Sequence, residues 1–270
     1  MKGMMNITTR ERLAEHFEEA KTLFPEDRIV GIFCYGSQNY GLDGPDSDLD
    51  TKCIVVPTFE EICFNKKAVS YTHVRANNEH IEFKDIRLMM KEFRKQNMNF
   101  VEILFTQYCI INPMYKEAWN SVIEHREEVA HYRALHTVRV MAAMADQKRH
   151  ALCHPYPAKA EVLAQFGYDP KQLSHQIRIL NFIRDYKAGK PYAECMYPRD
   201  VEQYIRWIKA GNLTKQEAIF ESDAVQYFIE AEVEDYASKI EDTANPYVDF
   251  LLDQAQRRIV ADALRRELNE

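Results

Sequence analysis

The sequence predicts an α+β protein: a small mixed β-sheet with helices in the first half, then an all-helical second half. Three observations predict it. Short runs rich in β-forming residues, at 28–35, 49–56 and 79–83, all fall before residue 112. From about residue 115 onward, apolar residues recur at helical spacing and no run reads as a strand. Glycine is scarce, at 8 in 270 residues, which disfavours a fold built from tight hairpins.

The elements follow in order. Residues 8–23 read as a helix capped by Thr8 or Thr9, with Leu13, Phe17 and Ala20 on one face and Pro25 after its end. The run RIVGIFCY at 28–35 reads as a buried strand, broken by Gly36-Ser37. A helical turn at 38–42 and a loop at 43–46 lead to a second strand at 49–56, stopped by Pro57. EHIEF at 79–83 alternates polar and apolar, the pattern of a third strand. Asp85 is placed to cap a helix over 86–96, and a further helix is expected over 100–108. Helical segments follow near 115–150, 158–166, 170–188, 198–210, 214–240 and 246–268. The domain boundary is expected at 112, giving units 1–112 and 113–270.

Two features of the first half carry chemistry. Gly36-Ser37 ends a buried strand and opens a turn. Glycine there lets a phosphate come close to the backbone, and the serine hydroxyl and turn N–H groups are potential donors to it. Asp48 and Asp50 flank Leu49 at the start of the next strand. Residues two apart on a strand point to one side, and two carboxylates held together repel unless solvated or bridged by a cation. Mg²⁺ favours such oxygen ligands. Read by itself, each feature has a plain alternative, a simple turn or a polar loop with capping aspartates.

Together they resemble a known signature. The segment GSQNYGLDGPDSDLD at 36–50 is similar to that of the DNA polymerase β nucleotidyltransferase superfamily: an apolar strand, Gly-Ser, a spacer of about ten residues, then Asp-x-Asp entering a second strand. Tyr40-Gly41 and Pro45-Asp46-Ser47-Asp48 look closest to its bacterial and phage predicted members with a C-terminal helical region. The resemblance implies a polymerase β-like palm as catalytic domain in 1–112. It also implies a helical domain in 113–270 that completes a nucleotide and acceptor cleft. The implied reaction is metal-dependent transfer of a nucleoside monophosphate from a nucleoside triphosphate to an acceptor hydroxyl, with pyrophosphate released. Two Mg²⁺ or Mn²⁺ ions are the implied cofactor, held by Asp48, Asp50 and a third carboxylate and clamping the attacking and leaving oxygens. Glu82, polar between Ile81 and Phe83, is the first candidate for that third ligand, and Asp85 the second. A glutamate departs mildly from the aspartate more usual there.

In the helical half, Asp169 caps and Pro170 opens a helix on which Lys171, His175 and Arg178 recur at i, i+4 and i+7. Such a face suits a triphosphate, or is simply a solvated basic surface. The family typically shows a tyrosine, a lysine and a histidine–arginine pair in this helix. The resemblance therefore implies that Lys171, His175 and Arg178 bind nucleotide beside Gly36 and Ser37. Lys148 and Arg149 are candidate phosphate contacts or plain helix surface. His150, Cys153 and His154 lack the partners of a zinc site and read as structural. Trp119 and Trp207 read as core or interface.

Composition sets outer limits. A formal net charge of -7 gives no global attraction for nucleic acid, although a local basic groove is compatible with it. Six dispersed cysteines without a CxxC pair suggest a reducing, cytoplasmic setting. The N-terminus lacks the apolar core of a secretion signal, and no apolar run reaches the roughly 18 residues of a membrane helix. The acceptor remains open among an RNA end, a protein and a small molecule, as do the nucleotide base and the oligomeric state. The rival readings are an inactive nucleotide-binding or regulatory module of the same fold, and a structural protein built on the helices.

Overall fold

A computed structural model describes residues 7–44 and 47–269. The expected loop at 43–46 lies partly outside them, at Pro45 and Asp46. The elements are α1 (Ile7–Leu23), β1 (Ile29–Tyr35), β2 (Asp50–Val55), α2 (Phe59–Cys63), β3 (Ser70–Val74), β4 (His80–Asp85), α3 (Ile86–Arg94), α4 (Met98–Val101) and β5 (Cys109–Ile111). Then come α5 (Lys116–Glu124), α6 (Arg126–Ala130), α7 (Ala134–Ala151), α8 (Ala160–Phe166), α9 (Pro170–Lys187), α10 (Tyr192–Met196), α11 (Glu202–Lys209), α12 (Lys215–Ala237) and α13 (Pro246–Asn269). The α+β class and the small mixed sheet are as expected.

The sheet has five strands in the order β3-β4-β2-β1-β5. β2 and β4 run parallel; the other pairs are antiparallel. Two strands were not expected. β3 is an edge strand, largely exposed, so no apolar alternation marks it. β5 is only three residues long, and its apolar run continued the helical pattern expected over 100–108. The chain there forms α4 and a 3₁₀ turn at Glu102–Leu104 instead. Thr8 and Thr9 lie inside α1 rather than capping it. The expected helix over 115–150 is three helices, broken at His125 and again before α7.

Strand alternation sorts the sheet into two faces. Ile32, Cys34, Cys53, Val55, Ile81 and Phe83 point to one side and pack with Leu13 and Ala20 of α1. Val30, Phe33, Ile54 and Val56 belong to a second core with Met89, Met90 and Phe93 of α3, Trp119 of α5, and Val248, Leu252, Ala255 and Ile259 of α13.

That second core corrects the boundary expected at 112. The compact units are 1–132 joined by 245–270, and 133–244. α13 presents an i, i+3, i+4, i+7 apolar stripe that is buried in the sheet-bearing unit, so the last helix belongs there. Arg94 fastens the same contact through Asp249 at 2.6 Å and Asp253 at 2.7 Å. In the helical unit, α9 is apolar on most sides, burying Leu173, Ile177, Ile179, Phe182, Ile183 and Tyr186, as a central helix must. Among the described residues no helix is long and apolar enough to cross a membrane.

Candidate functional site

Gly36 ends β1 at φ 89°, ψ -150°, a region essentially restricted to glycine, so the side-chain-free residue is required by the turn itself. Ser37–Asn39 then forms a 3₁₀ turn. The turn is held from beneath. The Gly36 N–H donates to Glu102 Oε2 at 3.2 Å, and Asn39 Nδ2 donates to the Cys34 carbonyl at 3.0 Å. Thr106 Oγ1 donates to Asn39 Oδ1 at 2.6 Å. Glu102 is almost wholly buried. The Gly36 amide is thus committed to Glu102, which leaves the half-buried Ser37 on the turn as the expected phosphate donor.

Asp50 opens β2 and lies opposite Tyr35, the last residue of β1. The turn and the aspartate are therefore neighbours across one antiparallel pair. Asp48, exposed, and Asp50, a third exposed, flank a fully buried Leu49. Leu49 is pinned by its N–H, which donates to Glu79 Oε1 at 3.1 Å. Glu79 is itself buried among Arg12, Arg75, His16 and Asn77. Arg12 also donates to the Ser47 carbonyl at 3.0 Å. Burial alone would raise the Glu79 carboxyl; hydrogen bonds from His16, Arg12, Asn77 and the Leu49 N–H reverse this and hold it well below the usual carboxylate range. This anchor fixes the backbone that carries Asp48 and Asp50.

Glu82 shares a face with Lys52, its partner in the parallel β2–β4 register. Lys52 lies two residues beyond Asp50, on the same side of β2. One oxygen of Glu82 meets the Lys52 ammonium, and the other meets Lys84 Nζ at 3.1 Å. Lys52 is 2% exposed, with its ammonium 3.8 Å from the centre of the Tyr35 ring and 4.2 Å from that of Phe100. Lys84 stands over the same Phe100 ring at 4.3 Å. Burial lowers the Lys52 amine, and Glu82 partly opposes it. Burial would raise Glu82, but the two lysines more than offset this and lower it. Burial, and after it the charges of Asp50, Glu82 and Glu102, raise the Tyr35 hydroxyl.

The sheet unit thus brings together Gly36, Ser37, Asp50 and Glu82, with Asp48 just ahead of β2. Asp85 is elsewhere in role: it caps α3 by accepting from the Arg87 N–H at 2.8 Å, and both its oxygens meet the Arg87 guanidinium. Asp48 and Asp50 suit a hard, oxygen-seeking divalent cation. Glu82 does not suit a third ligand as it stands, because each of its oxygens faces an ammonium. Among the described residues no three His, Cys, Asp or Glu side chains are grouped as a metal site.

Sequence reasoning missed Lys52, Lys84, His80 and Glu102. The signal for Lys52 and Lys84 was present: each is two residues after a candidate carboxylate and so on its face. His80 Nδ1 meets Asp50 Oδ1 at 2.9 Å, a contact set by the β2–β4 pairing. Glu102 had no local signal.

In the helical unit, Lys171, His175 and Arg178 do fall on one flank of α9. Burial, followed by Arg178, Lys148, Lys171 and Lys209, holds His175 well below its ordinary value. Burial, with Lys171 and Arg178, likewise lowers Lys148 on α7. Cations that repel one another around a half-buried imidazole make an environment that an anion would stabilise. Compared with protein-family models and with curated proteins, the chain finds no match in either.

Proposed function

We propose that the protein is a metal-dependent nucleotidyltransferase that moves a nucleoside monophosphate from a nucleoside triphosphate to an acceptor hydroxyl. The observation that carries this reading is the pairing of the Gly36-Ser37 turn with Asp50 across β1 and β2, Tyr35 opposite Asp50. It supports a phosphate and an aspartate-bound cation side by side, as the sequence signature implies. The acceptor oxygen forms a bond to the α-phosphorus, the bond to pyrophosphate breaks, and the hydroxyl proton leaves to a site carboxylate or water. Asp48 and Asp50 would hold Mg²⁺ or Mn²⁺, which supplies Lewis acidity toward phosphoryl oxygens. Ser37 orients the phosphates from the turn. Glu102 and Glu79 keep the turn and the aspartate loop in place, which is the rigidity that transfer chemistry requires. Within the helical unit, Lys171, His175 and Arg178, with Lys148 near them, form a cationic cluster of their own that suits phosphate oxygens.

The test is pyrophosphate release from each nucleoside triphosphate with Mg²⁺ or Mn²⁺ and a panel of RNA, protein and small hydroxyl acceptors. Turnover is expected in the wild type and none in Asp48→Asn or Asp50→Asn. Turnover that survives both substitutions would remove the aspartates from the reaction. A second reading is favoured by the lysines on Glu82: a nucleotide-binding module that has lost the chemistry. It predicts Mg²⁺-nucleotide binding sensitive to Asp50→Asn, without pyrophosphate release from any acceptor.

A further inference from the structure

Lys52 and Lys84 raise a question about how many cations the aspartates can serve. The lysines and Glu82 form a compact charged unit on the sheet face that carries Asp50. Lys52 is closed in on three sides, by the Tyr35 ring at 3.8 Å, the Phe100 ring at 4.2 Å and the Glu82 carboxylate. Aromatic faces attract an ammonium electrostatically, more strongly where water is excluded. Glu82 has no oxygen that does not already face an ammonium.

A second divalent ion at Glu82 would have to draw the carboxylate from both lysines. It would leave the buried Lys52 ammonium without its counter-charge, and would bring two more positive charges beside two existing ones. Lys52 sits on a central strand, paired with Glu82 on one side and Phe33 on the other, and the Tyr35 and Phe100 rings close around its ammonium. We infer that the sheet supplies its own cation here: the Lys52 ammonium, caged by Tyr35, Phe100 and Glu82, occupies the place a Glu82-bound ion would need, so Asp48 and Asp50 hold a single divalent ion. This inference rests on the nucleotidyltransferase reading of the aspartate pair. Lys52 is then a fixed positive charge next to the reacting phosphates, acting from the protein rather than exchanging with solvent.

The experiment counts Mn²⁺ by the electron paramagnetic resonance of the free ion, on the whole chain with one equivalent of a non-hydrolysable ATP analogue. One bound ion per complex is expected in the wild type. Glu82→Gln is expected to keep that ion at unchanged affinity, and Asp50→Asn to lose affinity by about tenfold or more. Two ions in the wild type would overturn the inference while leaving the functional reading intact, and this count needs no variant to fold. One ion that is lost in a folded Glu82→Gln would also overturn it, by making Glu82 a ligand. No ion at all in the wild type would overturn the functional reading and the inference with it.

Discussion

Replacing Glu79 by glutamine keeps the shape of the side chain and removes one buried charge. In the folded protein that carboxylate faces Arg12, Arg75 and His16, with Asn77 and the Leu49 N–H as further donors. Glutamine would keep one neutral acceptor oxygen and turn the other into an NH₂ donor, so two guanidinium groups and a buried histidine lose their shared charged acceptor. Breaking a buried ion pair from one side costs about 3 kcal/mol at the lower end of the measured range. A unit of this size shifts by roughly 2–4 °C per kcal/mol, so its melting midpoint should fall by roughly 6–12 °C. The assay can be made specific to the sheet unit. Trp119 is fully buried there, and the other of the two tryptophans, Trp207, sits in the helical unit, so Trp207→Phe leaves one reporter. The pH dependence adds a second check. Glu79 is held below its ordinary value of 4.5, so its stabilisation is complete above that pH and is lost as the pH falls further. His16 is held below 6.5, chiefly by burial, so acidification through that value also destabilises the fold. The wild type should weaken in both ranges, and the lower loss should shrink in Glu79→Gln without vanishing, because Glu82 and Glu19 are also held low. A midpoint shift below about 2 °C, with an unchanged acid limb, would refute the assignment of Glu79 as the anchor.

Other outcomes follow from the same contacts. A Cβ at Gly31 would stand 2.9 Å from the Ile110 carbonyl oxygen and 3.1 Å from the Phe33 ring. Gly31→Ala should therefore cost about 1–3 kcal/mol in urea unfolding, and an unchanged midpoint would disprove the close β1–β5 approach. Lys171→Ala should weaken binding of inorganic tripolyphosphate and flatten its salt dependence, as expected when one cation leaves an anion site. Equal affinity at low salt would show that the α9 cluster takes no polyphosphate.

The parts of the fold that could be read from sequence are those with strong local pattern. β1 is a continuous apolar run and β2 ends in one, and Asp85 caps α3 as its position before an amphipathic helix implied. β3 escaped because an exposed edge needs no buried alternation, and β5 because three residues carry too little period to tell a strand from a helix. α13 read correctly as a helix, but its partner was invisible: an apolar stripe states that something is buried, not against what. The same limit applies to the site. Gly36, Ser37, Asp48 and Asp50 are adjacent in sequence and could be found together. Glu82 was found from strand alternation, yet its lysine partners depend on the β2–β4 register, which pairs residues thirty positions apart. Glu102, 66 residues beyond Gly36 in the sequence, depends on tertiary placement alone.

The discontinuous sheet unit has a consequence for how the chain is made. The chain leaves it at Tyr132 and re-enters at Asn245, and there the Asn245 N–H donates to the Tyr132 carbonyl at 2.9 Å. The exit and the return are stitched together by one backbone hydrogen bond. Residues 133–244 thus form a cassette whose two ends need no separation, and replacing them with a short turn should leave the sheet, α3 and α13 able to assemble. During synthesis the order is inverted. The cassette emerges complete while the earlier unit still waits for α13 to cover Met89, Met90 and Trp119. Those side chains lack that part of their covering until α13 has been made, although the rest of their core precedes it in the sequence.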